Sequence, residues 1–306
     1  MTNSSTNIAF LNGDWIPAES LALPVIDVGF VQGVTVAERL RTFRGRLFQL
    51  DAHLQRLSRS LEIIGVSIPG GTDRLADPAT ELAERNHANL ASGDDLGLCI
   101  FVTPGDYATY TGVAPTPRVV MHTYPVPFRQ WASKYETGQR LAIPSVRQVP
   151  RNCWPTELKC RSRMHYYLAD REAAIKLPGA CALILDQDDS ILEATTANVI
   201  AHFSDEGLVS PPEGTILPGI SVAFLREMAR EVGIDYVERV LHVEDLSKAS
   251  EFLLTSTSPC VLPVVQCDDS QIGTGRPGPV FRSLLSAWSE RVGVDVQQQA
   301  NDFSNR

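Results

Sequence analysis

The segment "TELKCRSRMHYYLADREA", Thr156 to Ala173, holds one lysine among apolar and aromatic neighbours, and Arg161 and Arg163 follow it closely. A lysine on a surface helix carries no chemistry by itself. A lysine placed beside other cations and shielded from water gives up its proton more readily, and its amine becomes a nucleophile. Which of these Lys159 is depends on what the rest of the chain supplies.

The chain has 306 residues, enough for two domains or one large α/β unit. Its 43% hydrophobic content supports a substantial core, and its 21% charged content is too low for a disordered chain. A net charge of -9 argues against a nucleic-acid partner. It does not exclude a small phosphorylated ligand, which needs only local donors. The start, "MTNSSTNIAFLNGDW", has neither a basic stretch nor an apolar one, so no signal peptide is expected. No window approaches the roughly 18 apolar residues of a membrane span, and a cytoplasmic location is expected. The cysteines at 99, 153, 160, 181, 260 and 267 show no CxxC pair and no metal-ligand spacing. They read as reduced thiols, and no metal is expected.

Two stretches read as joints. Residues 103–118, "TPGDYATYTGVAPTPR", form a loop rich in Pro, Gly and Thr. Residues 124–140, "YPVPFRQWASKYETGQR", read as a linker. The expected domains are 1–129, an α+β domain, and 130–306, an α/β domain carrying the lysine. Ahead of the joint, Ile8–Ile16 looks like a hairpin, and two short strands flank the Arg44-Gly45 turn. Leu50, Leu54, Leu57, Leu61 and Ile64 recur at helical spacing, with Asp51 as the expected N-cap. Beyond it, "ACALILDQDDSILEATTANVIAHF" reads as two strands around an acidic turn. "ILPGISVAFLREMAREVGI" is a turn running into a helix that Gly233 stops. "EFLLTSTSPCVLPVVQCDD" is strand, hydroxyl-rich turn, strand. "GPVFRSLLSAWSERVG" is the last long helix, and the polar tail "DVQQQANDFSNR" is expected to fray. The irregular alternation of strands and helices gives an α+β or mixed α/β fold.

Four further features carry possible chemistry. Pro218 and Gly219 make a bend with Ser221 at the start of a helix, and a helix N-terminus attracts anions. Taken alone it is an ordinary capped turn. Thr255 to Ser258 are four hydroxyl residues between apolar strands, which can hold phosphate oxygens or simply close a turn. Arg56 shares a helix face with His53 and Arg59, beside the leucine stripe. An arginine at the edge of a core seeks a carboxylate or a phosphate. Glu193 ends an apolar strand, where a carboxylate needs a partner. A lysine nucleophile, an acid able to hold a protonated ring nitrogen, and three anion donors are the parts that pyridoxal phosphate requires.

With those motifs in hand, the chain resembles the class IV aminotransferases, whose pyridoxal-phosphate fold is of type IV. That group includes branched-chain and D-amino acid aminotransferases, (R)-selective amine transaminases and 4-amino-4-deoxychorismate lyases. The resemblance spans nearly the whole chain. It rests on "DVGFVQGVTVAERLRTFRGRLFQLDAHLQRL", "ELKCRSR", "ILEATTANV", "LPGIS", "LLTSTS" and "IGTGRPGPV". It implies a two-domain fold and pyridoxal 5'-phosphate as cofactor. It implies that Lys159 forms the internal aldimine and moves the substrate proton, and that Glu193 keeps the ring nitrogen protonated. Arg56, Gly219, Ile220, Ser221, Ser256 and Thr257 would bind the phosphate. Leu217 would pack on the ring, and Asn198 would support the Glu193 strand. The expected partners are a small amino donor, a keto-acid acceptor and a second copy of the chain in a homodimer.

Departures from the family pattern concern the substrate. Met164 stands where branched-chain enzymes have tyrosine; lyases and D-amino acid enzymes also have an apolar residue there, and lyases also have an arginine matching Arg163. Tyr166 and Tyr167 are alternatives for the ring hydroxyl. Glu38 matches the transaminases, where lyases have threonine. Ala37 replaces the usual aromatic and should open the pocket. Pro104 replaces the arginine that grips the substrate carboxylate in D-amino acid enzymes and lyases, leaving Arg39, Arg41 and Arg161 as replacements. The expected activity is transfer of an amino group from an amino acid or amine to a 2-oxo acid. The alternative is 4-amino-4-deoxychorismate lyase, which releases 4-aminobenzoate and pyruvate.

Overall fold

A computed structural model describes residues 6–305, which fall into two compact units. The first runs to Val126 and takes in Leu158–Ser162; the second comprises Pro127–Glu157 and the chain from Arg163.

In the first unit the strands are β1 (Ile8–Leu11), β2 (Asp14–Pro17), β3 (Val36–Phe43), β4 (Arg46–Leu47), β5 (Leu96–Thr103) and β6 (Arg118–Pro125). They form one antiparallel sheet in the order β2-β1-β6-β5-β3-β4. The helices are α1 (Val28–Val31), α2 (Leu50–Ile63), α3 (Ala76–His87) and α4 (Ala108–Thr111). Strand residues alternate between faces. Val36, Leu40, Leu98, Ile100, Val102 and Met121 therefore turn to one face, where Leu54, Leu57 and Leu61 of α2 and Leu82 of α3 close the core. The leucine stripe of α2 behaves as its spacing predicts. Its cap does not: Gln49, in a left-handed conformation, precedes the helix without a side-chain bond, and Asp51 lies inside the first turn. An acidic residue there still favours the positive end of the helix dipole.

The segment carrying Lys159 belongs to this unit, not to the C-terminal one. Val36 and Cys160 form an antiparallel bridge, and Leu158 packs on the core. A stretch of five residues that satisfies its backbone on β3 follows β3, whatever its place in the sequence.

In the second unit the strands are β7 (Gln139–Ala142), β8 (Cys181–Leu185), β9 (Ser190–Ala194), β10 (Ala197–Phe203), β11 (Gly207–Ser210), β12 (Tyr236–Glu238), β13 (Leu241–His242), β14 (Glu251–Ser256), β15 (Cys260–Cys267) and β16 (Ser270–Gln271). The helices are α5 (Lys134–Thr137), α6 (Met164–Lys176), α7 (Ile220–Glu231), α8 (Pro279–Val292) and α9 (Val296–Asp302). The sheet order is β12-β11-β10-β14-β15-β7-β8-β9-β13, and β9 also pairs with β10. Strands β10, β14, β15, β7, β8 and β9 thereby close into a ring.

Three expectations change here. Residues 181–203 make three strands, because a second turn at Thr195 and Thr196 follows the acidic one. Residues 127–138 are no solvated linker: Phe128, Trp131 and Tyr135 are buried, and the Tyr135 hydroxyl donates to the Pro259 carbonyl at 2.8 Å. The C-terminal tail is not frayed throughout. Asp295 caps α9, whose Val296 and Ala300 are buried. Among the described residues no helix is long and apolar enough to cross a membrane, and no cluster of metal-ligating side chains occurs.

Candidate active site

The chemistry-bearing residues fall into two groups, one in each unit. In the first, Lys159 sits in an extended segment and not on a helix. Its backbone N–H donates to the Ser60 hydroxyl of α2 (3.2 Å), and its carbonyl accepts from Ala37 of β3 (3.1 Å). Arg161 donates its backbone N–H to the Thr35 carbonyl (2.8 Å). Lys159 is therefore pinned at its own peptide groups.

Beside it lies a buried ionic cluster. Arg56 holds Glu38 as a fork, Nε to Oε1 at 2.7 Å and Nη2 to Oε2 at 2.7 Å. His53 Nδ1 lies 2.7 Å from Glu38 Oε2. Burial alone would push the Glu38 carboxyl up, but the Arg56 charge and hydrogen bonds, with His53 beside it, bring it down to about 2. Burial pushes the His53 imidazole down; the bond to Glu38 opposes this, and the charges of Arg56 and Lys159 add to the lowering. A neutral His53 thus donates from Nδ1 to an ionised Glu38. Lys159 is near enough for its charge to be felt in this cluster.

Glu38 was expected to line the substrate pocket. The structure gives it another task, because both carboxylate oxygens are engaged in the core and it is fully buried. Alternation along β3 puts Ala37, its neighbour, on the opposite face. Glu38 orients Arg56, and Arg56 found the carboxylate that a core-edge arginine seeks. Pro104 lies in the loop after β5.

In the second unit Asn198, the second residue of β10, joins three elements. It pairs in register with Glu193 of β9 and with Thr255 of β14. Its side-chain amide donates to the Leu217 carbonyl at 3.0 Å. The acid strand, the hydroxyl-rich turn and the bend before α7 therefore meet at one residue. Gly219 makes this possible, since a Cβ there would run into the Asn198 side-chain oxygen. Ile220 begins α7, and Gly219 caps it without a side chain, so its amides are not satisfied by a cap. Ser221 is buried, and its Oγ has no partner among the described residues. A buried hydroxyl at a helix N-terminus has the capacity to donate to an anion there. Thr255 spends its hydroxyl on the Cys260 carbonyl (2.8 Å), leaving Ser256 and Thr257, which are half-buried, as the turn's candidates.

Glu193 is buried and accepts at Oε1 from the Tyr166 hydroxyl (2.6 Å) and from Gln148 Nε2 (2.9 Å). Burial raises the Tyr166 pKa, and the Glu193 charge raises it further. The phenol stays protonated and donates. Tyr166 is thus engaged with the acid, Tyr167 is exposed, and Met164 is exposed at the start of α6. Gln148 escaped sequence reasoning. It lies in the coil after β7, with no motif around it, and only its contacts mark it.

The first unit thus presents a lysine and a forked arginine, and the second a buried hydroxyl at a helix start and an oriented carboxylate. A model of the family described as amino-transferase class IV matches residues 35–267. The chain belongs to the class IV aminotransferases. The D-alanine aminotransferase of Bacillus licheniformis is 27% identical over 283 residues, 92% of this chain and 95% of that protein. The D-alanine aminotransferase of Staphylococcus haemolyticus is 28% identical over 286 residues, 92% and 97% of the two chains. Among solved structures, a branched-chain amino acid aminotransferase of Escherichia coli superposes with a TM-score of 0.85 at 24% identity, over 94% of each chain. The fold is therefore the type IV fold of pyridoxal-phosphate enzymes, and this class IV aminotransferase takes pyridoxal 5'-phosphate as its cofactor.

Proposed function

We propose that this aminotransferase moves the amino group of an amino acid, of the D-alanine or branched-chain type, to a 2-oxo acid, with Lys159 as the residue that carries the cofactor. The two-sided anchoring of the Lys159 backbone carries this reading, since a lysine that must return repeatedly to one carbon needs a fixed base. Pyridoxal phosphate, when bound, supplies an aldehyde for the amine and an electron-accepting ring.

The protein's own groups do the rest. Lys159 would hold the cofactor, and its Nζ would serve as the base and then the acid for the substrate's α-proton. Glu193, oriented by Tyr166 and Gln148, holds the ring nitrogen protonated. Arg56, Gly219, Ile220, Ser221, Ser256 and Thr257 would hold the phosphate, and Leu217 would pack on the ring. Asn198 keeps these parts in register. The relatives named above are aminotransferases, which speaks for transfer over elimination to 4-aminobenzoate and pyruvate.

The test is a half-reaction. The protein is loaded with pyridoxal phosphate, and single L- and D-amino acids are added without a keto acid. Stable conversion of the cofactor to pyridoxamine phosphate by one class is the expected result and names the donor. No conversion by any amino acid, with turnover of aminodeoxychorismate, would overturn it.

We also infer that two copies pair. Met164, Tyr167, Leu168 and Ile175 form an exposed apolar stripe at helical spacing on α6. Light scattering on the eluting protein should give twice the chain mass. The cytoplasmic location expected from the sequence is part of the same proposal.

A further inference from the structure

The sheet of the first unit has a second face, opposite the one that packs on α2. Alternation puts Ala37, Arg39 and Arg41 of β3 on it, with Gly97, Cys99 and Phe101 of β5 and His122 and Tyr124 of β6. Their registers agree: Ala37 pairs with Phe101, Arg39 with Cys99 and Arg41 with Gly97, while Cys99 pairs with His122 and Gly97 with Tyr124. Arg161, opposite Thr35 on the lysine segment, reaches the same place. Its Nη2 donates to Cys99 Sγ at 2.8 Å, and its guanidinium lies 5.8 Å from the Phe101 ring. Lys159 stands opposite Ala37 on that segment.

Two guanidinium groups therefore converge on Cys99. Arg39 donates from Nε to the Tyr124 hydroxyl (3.2 Å) and stacks on that ring at 4.8 Å. Gly97 is what lets the Tyr124 ring lie across β5, because a Cβ there would run into it. Neither Arg39 nor Arg161 has an ion pair among the described residues. Arg41 differs: it is fully buried, reaches Asp95 at 4.0 Å and stacks on Phe43, which makes it structural. Asp95 is further bound by Thr42 and by the amides of Arg44 and Gly45, so it does not serve the other two arginines. The charges of Arg161 and Arg39 are felt at their neighbours. Burial lowers the His122 pKa, and both arginines lower it more.

We propose that Arg39 and Arg161 bind the carboxylate of the substrate, so that donor and acceptor must carry one and simple amines are refused. This rests on the aminotransferase reading and deepens it. Two unpaired guanidinium groups held over a rigid sheet are a preorganised receptor for a carboxylate, which accepts from an arginine fork through both oxygens. They sit on the strand face that carries Ala37 and on the segment that carries Lys159. The grip that Pro104 cannot supply comes from two strand positions instead of a loop.

The experiment titrates propionate, which has no amine to react, into protein with and without pyridoxal phosphate, by calorimetry. Propionamide is the uncharged control. Arg39→Gln and Arg161→Gln should each weaken propionate about tenfold or more, as losing a charged hydrogen bond does. Arg161→Lys should recover part of the loss. Arg129→Gln, on an exposed turn of the second unit, should bind as the parent does. In turnover, both glutamine variants should raise KM for a carboxylated donor with kcat little changed. Thermal melts of each variant exclude a loss of fold as the cause. Equal binding of propionamide, undiminished binding in both glutamine variants, or no binding of propionate by the parent protein would overturn the proposal. The cofactor-free titration reads the carboxylate site even if no pyridoxal phosphate is taken up, an outcome that would sink the aminotransferase reading alone.

Discussion

Glu38 and Glu193 are both buried carboxylates near candidate cofactor contacts, and they are held in different ways. Glu38 faces a guanidinium fork and an imidazole inside its own core, and its pKa falls to about 2. Glu193 accepts at Oε1 from a phenol and an amide, neutral donors that fix its direction. The difference separates two uses of a buried acid. A charge locked to an arginine is part of the fold and aims that arginine. A charge aimed by neutral donors is oriented for something outside the cluster. Changes near Glu38 should therefore register in stability, and changes near Glu193 in cofactor binding.

Lys159→Ala gives the largest expected effect and tests whether the first cluster serves chemistry. Turnover should fall at least about a thousandfold, the range of a positioned acid–base group. The backbone anchors of residue 159 survive the change, so a thermal melt should still show a cooperative transition. Retained turnover would remove Lys159 from the mechanism.

Glu38→Gln comes next. Breaking one partner of a buried pair takes from Arg56 the carboxylate that it grips as a fork and costs about 3–5 kcal/mol. The companion measurement is pH. A carboxyl depressed in the folded state contributes stability that is fully present above its ordinary value of 4.5 and is lost as pH falls toward about 2. The loss is on the order of 3 kcal/mol. His53, whose pKa is also lowered by burial, adds a loss that begins as pH falls through its ordinary 6.5, since the unfolded imidazole takes the proton first. Denaturant melts between pH 7 and 3.5 should show this slope in the parent and a shallower one in Glu38→Gln. Equal slopes would mean that Glu38 is not the locked charge described here.

Glu193→Gln should reverse the pattern. The melt should stay close to that of the parent, while affinity for pyridoxal phosphate drops about tenfold to a hundredfold, the worth of one charged hydrogen bond. If stability falls as far as in Glu38→Gln, with cofactor affinity unchanged, the contrast between the two acids is gone.

Why the sequence disclosed some of this and hid the rest is a matter of range. The stripe of α2, the Arg44-Gly45 turn and the stop at Gly233 follow from local periodicity and backbone preference, and all are visible in a window of a few residues. The Glu38–Arg56 fork joins a strand to a helix, and nothing near either residue announces the other. Gln148 reaches Glu193 from a coil without a motif. The lysine segment looked C-terminal because it is so in sequence, yet its backbone bonds lie on β3. The turn at Thr195-Thr196 lacks Gly, Pro, Asn or Asp, so the third strand behind it was not seen.

Ser221→Ala has the smallest expected effect and is the finest probe of the second cluster. In the protein alone, the Ser221 hydroxyl is buried with no partner, which costs stability. Removing it should leave the melt of the cofactor-free protein unchanged or slightly higher. With pyridoxal phosphate bound, the same hydroxyl should donate to a phosphate oxygen at the start of α7. The alanine variant should then bind the cofactor about threefold to tenfold more weakly, the value of one ordinary hydrogen bond. The two signs together carry the argument. A residue that only packs the turn would lose stability in both states when truncated, whereas one that binds phosphate shows its cost in the loaded protein alone. Opposite signs in the two melts would place the phosphate at Ser221; a loss of equal size in both would assign the hydroxyl to the fold.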